Sequence, residues 1–296
     1  MKIFLSVLIL SSSLLVFSFG EDRKLENTSK QLDQLRKEYL ADKAALDQIN
    51  RTKEKISEKN KDQKIPKNGT PEYKKALKEW LPLWQKEKAS YPKYLNALVK
   101  AYCELPPTDK KAGELKKEIE EQHPEHSKNS LTVSYYRRHS LLAKAIMPNL
   151  YNHDLDKERA KFFVKLLKPS FNTKMEDFMH FFKLPVEPQD WSVQTAYSLA
   201  NLRIGNLSTA RKENKKLIRK GSKFADWQRK IKAKDSRYAK RLQNFYLQRA
   251  LIEAHDGKEN EARKFLDKVL ETTPSEAPDN HSQKLLQEIE KVLIEL

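Results

Sequence analysis

Cysteine and glycine are scarce in this sequence of 296 residues, and each scarcity excludes a class of structure. The single cysteine, Cys103, rules out a disulfide within the chain, so stability depends on packing and we expect a buried thiol. The six glycines are scattered singly, so no glycine-rich loop is present to cradle a phosphate. Long stretches without glycine or proline, at 38% hydrophobic residues, favour an all-α fold with narrow apolar stripes.

Catalytic and metal-binding motifs are also missing. The sequence has neither the Gly-x-Ser-x-Gly turn of a hydrolase nor a His-Glu-x-x-His zinc motif. His123 and His126 are three residues apart, but Pro124 lies between them and no third ligand is evident, which favours a solvent-exposed loop. We therefore expect no enzyme activity, no cofactor and no metal site.

The most apolar stretch is short and lies at the N-terminus, where a basic start at Lys2 precedes the segment from Ile3 to Phe19. Small residues occupy both positions that a signal peptidase reads, up to Gly20, and a charged stretch follows. The apolar run is shorter than the roughly 20 residues that span a bilayer. The pattern predicts a signal peptide over 1–20, cleavage after Gly20, and a periplasmic or secreted protein without a transmembrane anchor. A retained anchor helix is the alternative.

A heptad pattern over residues 22–60 predicts a long helix, which we place at 21–62. Apolar residues such as Leu32 and Tyr39 recur at two positions of the repeat, whereas Asp42 and Lys53 interrupt this seam. A stalk and a helix packed along a neighbour both fit the pattern.

A polar linker is predicted over 63–70, followed by a helical domain over 71–188. Thr70 suits the N-cap of its first helix, which we expect to break near Pro82 before a second helix starts at Pro92. Further helices are predicted at about 131–147, 155–168 and 173–183.

Two helical hairpins are predicted within residues 189–296, and their sequences match position by position. The first turns at Gly205 and the second at Gly257, and each glycine is followed five positions later by Ala210 or Ala262. The glycine ends a helix, and the small residue lets two antiparallel helices approach closely. We expect a final capping helix beginning after Asp279.

The second hairpin resembles a tetratricopeptide repeat. The resemblance rests on Leu251-Ile252-Glu253-Ala254-His255-Asp256-Gly257-Lys258-Glu259-Asn260-Glu261-Ala262 with Leu266, Val269, Leu270 and Pro274. The segment from Trp191 to Lys220 is similar, with Asn214 at a usually apolar position, and residues 93–124 resemble a third copy. Because Asn201 and Glu253 replace the usual tyrosine, ordinary helical hairpins are the alternative. The resemblance implies stacked antiparallel hairpins and protein–protein interaction.

A basic segment between Arg211 and Arg241 is the strongest positive signal. It holds 14 Lys and Arg against three acidic residues, which is +11 of the formal +17 of the whole chain, and Phe224, Trp227 and Tyr238 are interleaved. Such a surface attracts anionic partners, although a solvated helical face is the alternative. The candidate partner-binding residues are Arg211, Lys212, Lys215, Lys216, Arg219, Lys220, Lys223, Trp227, Arg229, Lys230, Lys232, Lys234, Arg237, Lys240 and Arg241.

Together these features predict an exported, non-catalytic helical scaffold of the cell envelope that binds proteins through their acidic surfaces. Export argues against nucleic acid as a partner, and the alternative is a binding module for an anionic cell-wall polymer or lipid headgroup. The layout is also loosely similar to the flagellar coiling and sheath proteins of spirochaetes, which implies a structural role in a periplasmic flagellar filament or sheath. Asn-x-Ser/Thr triplets at Asn27, Asn68, Asn206 and Asn280 carry little weight.

Overall fold

The computed structural model describes the backbone of residues 2–62, 70–122, 133–168, 191–230, 237–272 and 279–296, and the side chains of most of these from residue 26 onward. Within these ranges the chain forms ten helices and no strand, so the predicted all-α fold is confirmed. The chain divides into two compact units, Met1–Ile119 and Glu120–Leu296. The finer division into five segments stays a prediction.

Unit 1 is built on a long antiparallel helical hairpin. Near the closed end, Asn60 Nδ2 donates to Thr70 Oγ1 over 3.2 Å. Farther along, the rings of Tyr39 and Tyr94 stack 4.9 Å apart. The predicted N-cap is confirmed, because the Thr70 hydroxyl accepts a hydrogen bond from the first turn of the second helix. The helices of this unit are α1 (Lys2–Asp62), α2 (Pro71–Glu104) and α3 (Lys110–Gln122).

The heptad seam of α1 is a packing seam. Leu32, Tyr39 and Ile49 are all buried, and α1 packs along α2. Of the two arrangements that fit the pattern, the structure therefore has the helix packed along a neighbour. α1 also runs back continuously to Lys2, so the predicted cleavage position after Gly20 lies within it and stays a prediction.

The expected break near Pro82 is wrong. α2 continues as one helix through both Pro82 and Pro92. A proline in a helix interior costs about 3 kcal/mol, because it removes one backbone hydrogen bond and crowds the preceding turn. Leu95 and Leu98 are fully buried, and burial of each such side chain stabilises the helix by about 1.5–3 kcal/mol. Packing therefore outweighs the local penalty. The same helix leaves Cys103 half-buried, not buried as expected.

Unit 2 stacks shorter helices. α6 and α7 form one hairpin, α8 and α9 form the next, and α7 packs along α8. α4 and α5 pack on α6, while α10 packs on α8 and begins at the predicted Asp279 cap, whose carboxylate accepts from Ser282 N over 2.7 Å. The helix expected at 173–183 lies outside the described residues. The helices are α4 (Val133–Leu150), α5 (Lys157–Leu167), α6 (Trp191–Arg203), α7 (Leu207–Lys230), α8 (Arg237–His255), α9 (Glu259–Thr272) and α10 (Asn280–Glu295).

The two hairpins turn in the same way. Gly205 has φ +80° and Gly257 has φ +70°, a left-handed conformation that glycine adopts without steric cost. In each turn the next N–H donates to the carbonyl five residues earlier, over 2.8 Å from Asn206 and 2.9 Å from Lys258. This bond closes the end of a helix in the Schellman manner. The position-by-position match predicted from the sequence is therefore a match in backbone geometry.

The small residues after each turn are where the helices meet. Ala210 and Ala262 are both fully buried. The turn glycines are 52 residues apart, however, whereas a tetratricopeptide repeat has a period of about 34 residues. The third predicted copy also has a buried alanine, Ala112, but it lies in unit 1 and no positive-φ glycine closes its turn. The structure thus has repeated hairpins, and membership of the tetratricopeptide family stays a prediction.

Candidate partner-binding site

α7 carries the first half of the predicted basic segment and has two faces of different chemistry. Its inner face is buried and includes Ala210, Leu217 and Ala225. On the opposite face, positions three, four and seven apart bring exposed cationic side chains onto one side of the helix. We call these residues the basic stripe: Lys212, Lys215, Lys216, Arg219, Lys223 and Lys230.

The basic stripe is long and narrow. At about 1.5 Å per residue it extends about 27 Å along α7, and at 3.6 residues per turn its members fall within a sector of about 100°. Lys216 lies 2.7 Å from the buried carboxylate of Glu213, and the exposed Asp226 is an acidic side chain in the same sector. The described part of this face is therefore strongly positive along its length.

Arg211 belongs to the contact between hairpins. Its guanidinium donates to Glu253 over 3.0 and 2.8 Å and to Asp256 over 2.6 Å. Burial alone would raise the pKa of Glu253, but the hydrogen bonds from Arg211 and Arg249 outweigh it and lower that pKa. Arg211 thus connects α7 to the end of α8, and its charge is compensated within the protein.

The other candidate partner-binding residues do not share one face with the basic stripe. Lys220 is half-buried on α7, while on α8 Lys240 is exposed and Arg241 is half-buried with its guanidinium 5.6 Å from the centre of the Trp191 ring. Lys232 and Lys234 lie outside the described residues, as do the side chains of Trp227, Arg229 and Arg237.

Two of the interleaved aromatic residues point into the core. Phe224 and Tyr238 stack with ring centres 5.1 Å apart, and each meets Trp191 edge-on. Phe245 closes this cluster from α8. The aromatic side chains described in the basic segment therefore hold α6, α7 and α8 together, and the described part of the exposed surface of α7 is charged.

Sequence reasoning missed a buried ion cluster in unit 2. Glu288 of α10 pairs through both carboxylate oxygens with Arg203 of α6, and its Oε1 lies 3.1 Å from a ring nitrogen of His255 at the end of α8. Arg203 Nε also donates to the carbonyl of Leu150 over 2.8 Å. Burial alone would raise the pKa of Glu288, but hydrogen bonds from His255 and Arg203 lower it to about 2.

The signal for this cluster was present in the hairpin alignment. The register that matches Gly205 with Gly257 also matches Arg203 with His255. Two basic side chains at equivalent positions of two hairpins indicate a shared acidic partner, although nothing in the sequence singles out Glu288.

Comparisons with known proteins do not assign a function to these residues. No protein family, curated protein or solved structure matches this chain. Within the described ranges, no helix is long and apolar enough to cross a membrane. In the same residues, no group of three or more His, Cys, Asp or Glu side chains is arranged to hold a metal ion.

Proposed function

We propose that this chain is an exported, non-catalytic helical scaffold of the cell envelope that binds an acidic protein surface through the basic stripe. The observation that carries the proposal is the placement of six exposed cations opposite the buried face of α7. Cations so placed contribute nothing to the core, and like charges along a helix oppose its formation slightly. A binding role accounts for them.

The second hairpin supplies an internal comparison that supports this role. Because the hairpins share their turn, the stripe positions from Lys212 to Arg219 have equivalents on α9. Lys215 corresponds to Asp267 and Arg219 to Glu271, and all four side chains are exposed. The hairpin fold is therefore compatible with acidic residues at these two positions, so folding does not require lysine and arginine there.

The alternative partner is an anionic cell-wall polymer or lipid headgroup. The length and predominantly positive charge of this face favour that alternative, since a linear polyanion contacts a row of cations as readily as an acidic protein does. The two candidate partners differ in how salt affects their binding. A protein partner combines charge pairs with apolar contacts, so salt weakens binding without abolishing it. Binding to a polymer through charge alone is released by salt.

The test transfers the charges of α9 to α7. The double substitution Lys215→Asp and Arg219→Glu gives the stripe the residues that α9 carries at the same positions. Immobilised full-length protein captures its partner from the native envelope fraction, and we expect the variant to recover about tenfold less. Purified cell wall and anionic vesicles, sedimented with the same variants, identify the alternative partner.

The matched control makes the reverse change, Asp267→Lys and Glu271→Arg on α9. It changes the net charge by the same amount in the opposite direction but leaves the stripe intact, so we expect capture at or above the unsubstituted level. Equal capture by the protein and by the α7 variant would contradict the proposed use of the stripe.

Export is a separate part of the proposal and has its own test. We expect the chain to fractionate outside the cytoplasm and its N-terminus to begin at Glu21. N-terminal sequencing of the native protein measures this directly. A partner that proves to be a filament protein would support the flagellar resemblance, which otherwise adds no residue to the proposal.

A further inference from the structure

The outer helix of the first hairpin is covered by the next hairpin. α8 runs antiparallel to α7, and the guanidinium of Arg211 near the start of α7 binds the carboxylate of Glu253 near the end of α8. Farther along α7, Asn214 Nδ2 donates to the Phe245 carbonyl over 2.9 Å, and Ile218 packs on the aromatic cluster that includes Phe245. Arg211, Asn214 and Ile218 are three and four residues apart, so one side of α7 forms this contact.

The outer helix of the second hairpin has an equivalent side that is open. The register that matches the two turns places three residues of α9 at the positions of this contact: Arg263, Leu266 and Leu270. Arg263 pairs with Glu259 of its own helix over 2.8 Å. Leu270 is 69% exposed, whereas its equivalent Ile218 is half-buried. A hairpin stack that ends in solvent closes with a polar face, so the exposed leucine indicates that a further helix covers α9.

α9 also carries the other half of this contact. The half that α8 supplies is a carboxylate near the end of an antiparallel helix, and Glu271 is an exposed carboxylate in the last turn of α9. At 3.6 residues per turn, Arg263 and Glu271 fall on the same flank of the line through the two leucines. A two-fold axis across two antiparallel helices brings the same flank of both together. α9 can therefore cover a second copy of itself as α8 covers α7.

The spacing of these residues along α9 fits a single register. In an antiparallel pair whose two-fold axis passes just after Asp267, Leu266 of each copy lies level with Leu270 of the other to within about 1.5 Å along the helix. In the same register Arg263 of each copy lies level with Glu271 of the other, again to within about 1.5 Å. One axis therefore satisfies the apolar contact and both charged contacts at once.

We propose that α9 is a dimerisation surface on which α9 of a second copy of this chain packs antiparallel, with Leu266 and Leu270 at its centre and Arg263 paired with Glu271 at both ends. Such a dimer joins the hairpin stacks of two copies end to end. The surface carries charges of both signs, whereas the like charges of the basic stripe oppose contact with a copy of itself. The site is separate from that stripe and does not rest on the proposed function.

Sedimentation equilibrium of the purified protein tests the proposal. α9 has 14 residues, so the interface is smaller than that of a standard protein complex and the dimer should dissociate in the range of roughly 10–100 µM. The measurement is made at about 0.15 M salt, where a Debye length of about 8 Å screens the repulsion between two positively charged chains. A protein that stays monomeric up to about 0.5 mM would overturn the proposal.

A leucine variant locates the contact. Leu270→Ser should raise the dissociation constant of the dimer about tenfold, since the side chain is exposed in one copy and its loss leaves the core intact. Ile294→Ser, at an 85% exposed position of α10, is the matched control and should leave the dissociation constant unchanged. Equal effects of the two substitutions would contradict a contact through α9.

Charge reversal tests the antiparallel register. Arg263→Glu places carboxylates opposite each other at both ends of the dimer, and Glu271→Arg places guanidinium groups there, so each variant alone should self-associate about tenfold more weakly. When the two variants are mixed, every carboxylate again meets a guanidinium, and we expect association at least as tight as that of the unsubstituted protein. Restored association also shows that both variants are folded. A mixture that associates no better than the separate variants would refute the register.

Two further variants separate this contact from others. Asp267 of one copy faces Asp267 of the other beside the axis, so Asp267→Asn should tighten the dimer about threefold. The α7 double variant, Lys215→Asp with Arg219→Glu, should dimerise as the unsubstituted protein does. If that variant abolishes self-association, the basic stripe forms the contact and the proposal is wrong.

Discussion

The α6–α7 and α8–α9 hairpins turn through the same backbone conformation, yet their outer helices carry different charges. Both turns have a positive-φ glycine, and both hairpins have a buried alanine five residues later. On the outer faces, α7 has Lys215 and Arg219 where α9 has Asp267 and Glu271. The residues that close a hairpin, a turn glycine and a buried alanine, are therefore the same in both hairpins. The residues that face solvent differ between them.

The hairpins also differ in what their equivalent buried residues Asn201 and Glu253 bind. Asn201 bonds within its own hairpin, donating to the Tyr197 carbonyl over 2.8 Å. The equivalent Glu253 instead binds Arg211 of the other hairpin. Two polar residues at one structural position thus have different partners, one completing a helix and the other joining two hairpins.

The largest expected effect comes from removing what the hairpins share. Arg203 and His255, at equivalent positions, both contact Glu288. Glu288→Gln leaves the Arg203 side chain buried opposite a neutral group, so we expect the free energy of unfolding to fall by about 3 kcal/mol. Urea denaturation measures it. Glu290→Gln, an exposed change on the same helix, should have little effect, and an equal loss in both variants would contradict the role of the cluster.

A pH dependence follows from the same residue. The pKa of Glu288 is about 2 in the folded protein and about 4.5 in the unfolded chain. Its stabilisation is fully present above about pH 4.5 and is lost as the pH falls toward 2, with a total of roughly 3 kcal/mol. The difference in unfolding free energy between the unsubstituted protein and Glu288→Gln should therefore shrink on acidification. A difference that stays constant between about pH 5 and pH 3 would refute this.

The substitutions Ala210→Leu and Ala262→Leu test whether the helices pack equally closely in the two hairpins. Both alanines are fully buried, so the added side chain must displace neighbours at a cost of about 1–3 kcal/mol each. Thermal unfolding compares the two variants with Ala89→Leu, at an exposed position of α2, which should be nearly neutral. Unequal losses would show that one hairpin has room that the other lacks.

The smallest expected effect is at the turns. Gly205→Ala and Gly257→Ala each place a side chain in the left-handed region without meeting any atom within 4 Å. The cost is conformational and amounts to about 1 kcal/mol each. Gly113→Ala is the control, because this glycine lies inside α3 with open space around it, and alanine there should stabilise by about 0.5–1 kcal/mol. A loss at one turn without a loss at the other would show that the two turns are not energetically equivalent.

Features set by a few neighbouring residues could be predicted from the sequence. Thr70 and Asp279 cap the helices expected of them, and Gly205 and Gly257 close the expected turns. The heptad seam of α1 was predicted because its spacing is a property of one helix. The candidate site was predicted in outline, since an excess of charge is visible in composition alone.

Features set by contacts between distant residues required the tertiary structure. α2 continues through Pro82 because burial along α1 outweighs a local penalty. Whether a basic side chain faces solvent or an internal carboxylate depends on what packs against it, so Arg211 and Lys212 are neighbours in sequence with different roles. The sequence by itself determined the helices, their ends and the charge. Only the tertiary structure decided which charges remain exposed, because that depends on contacts between residues far apart in the chain.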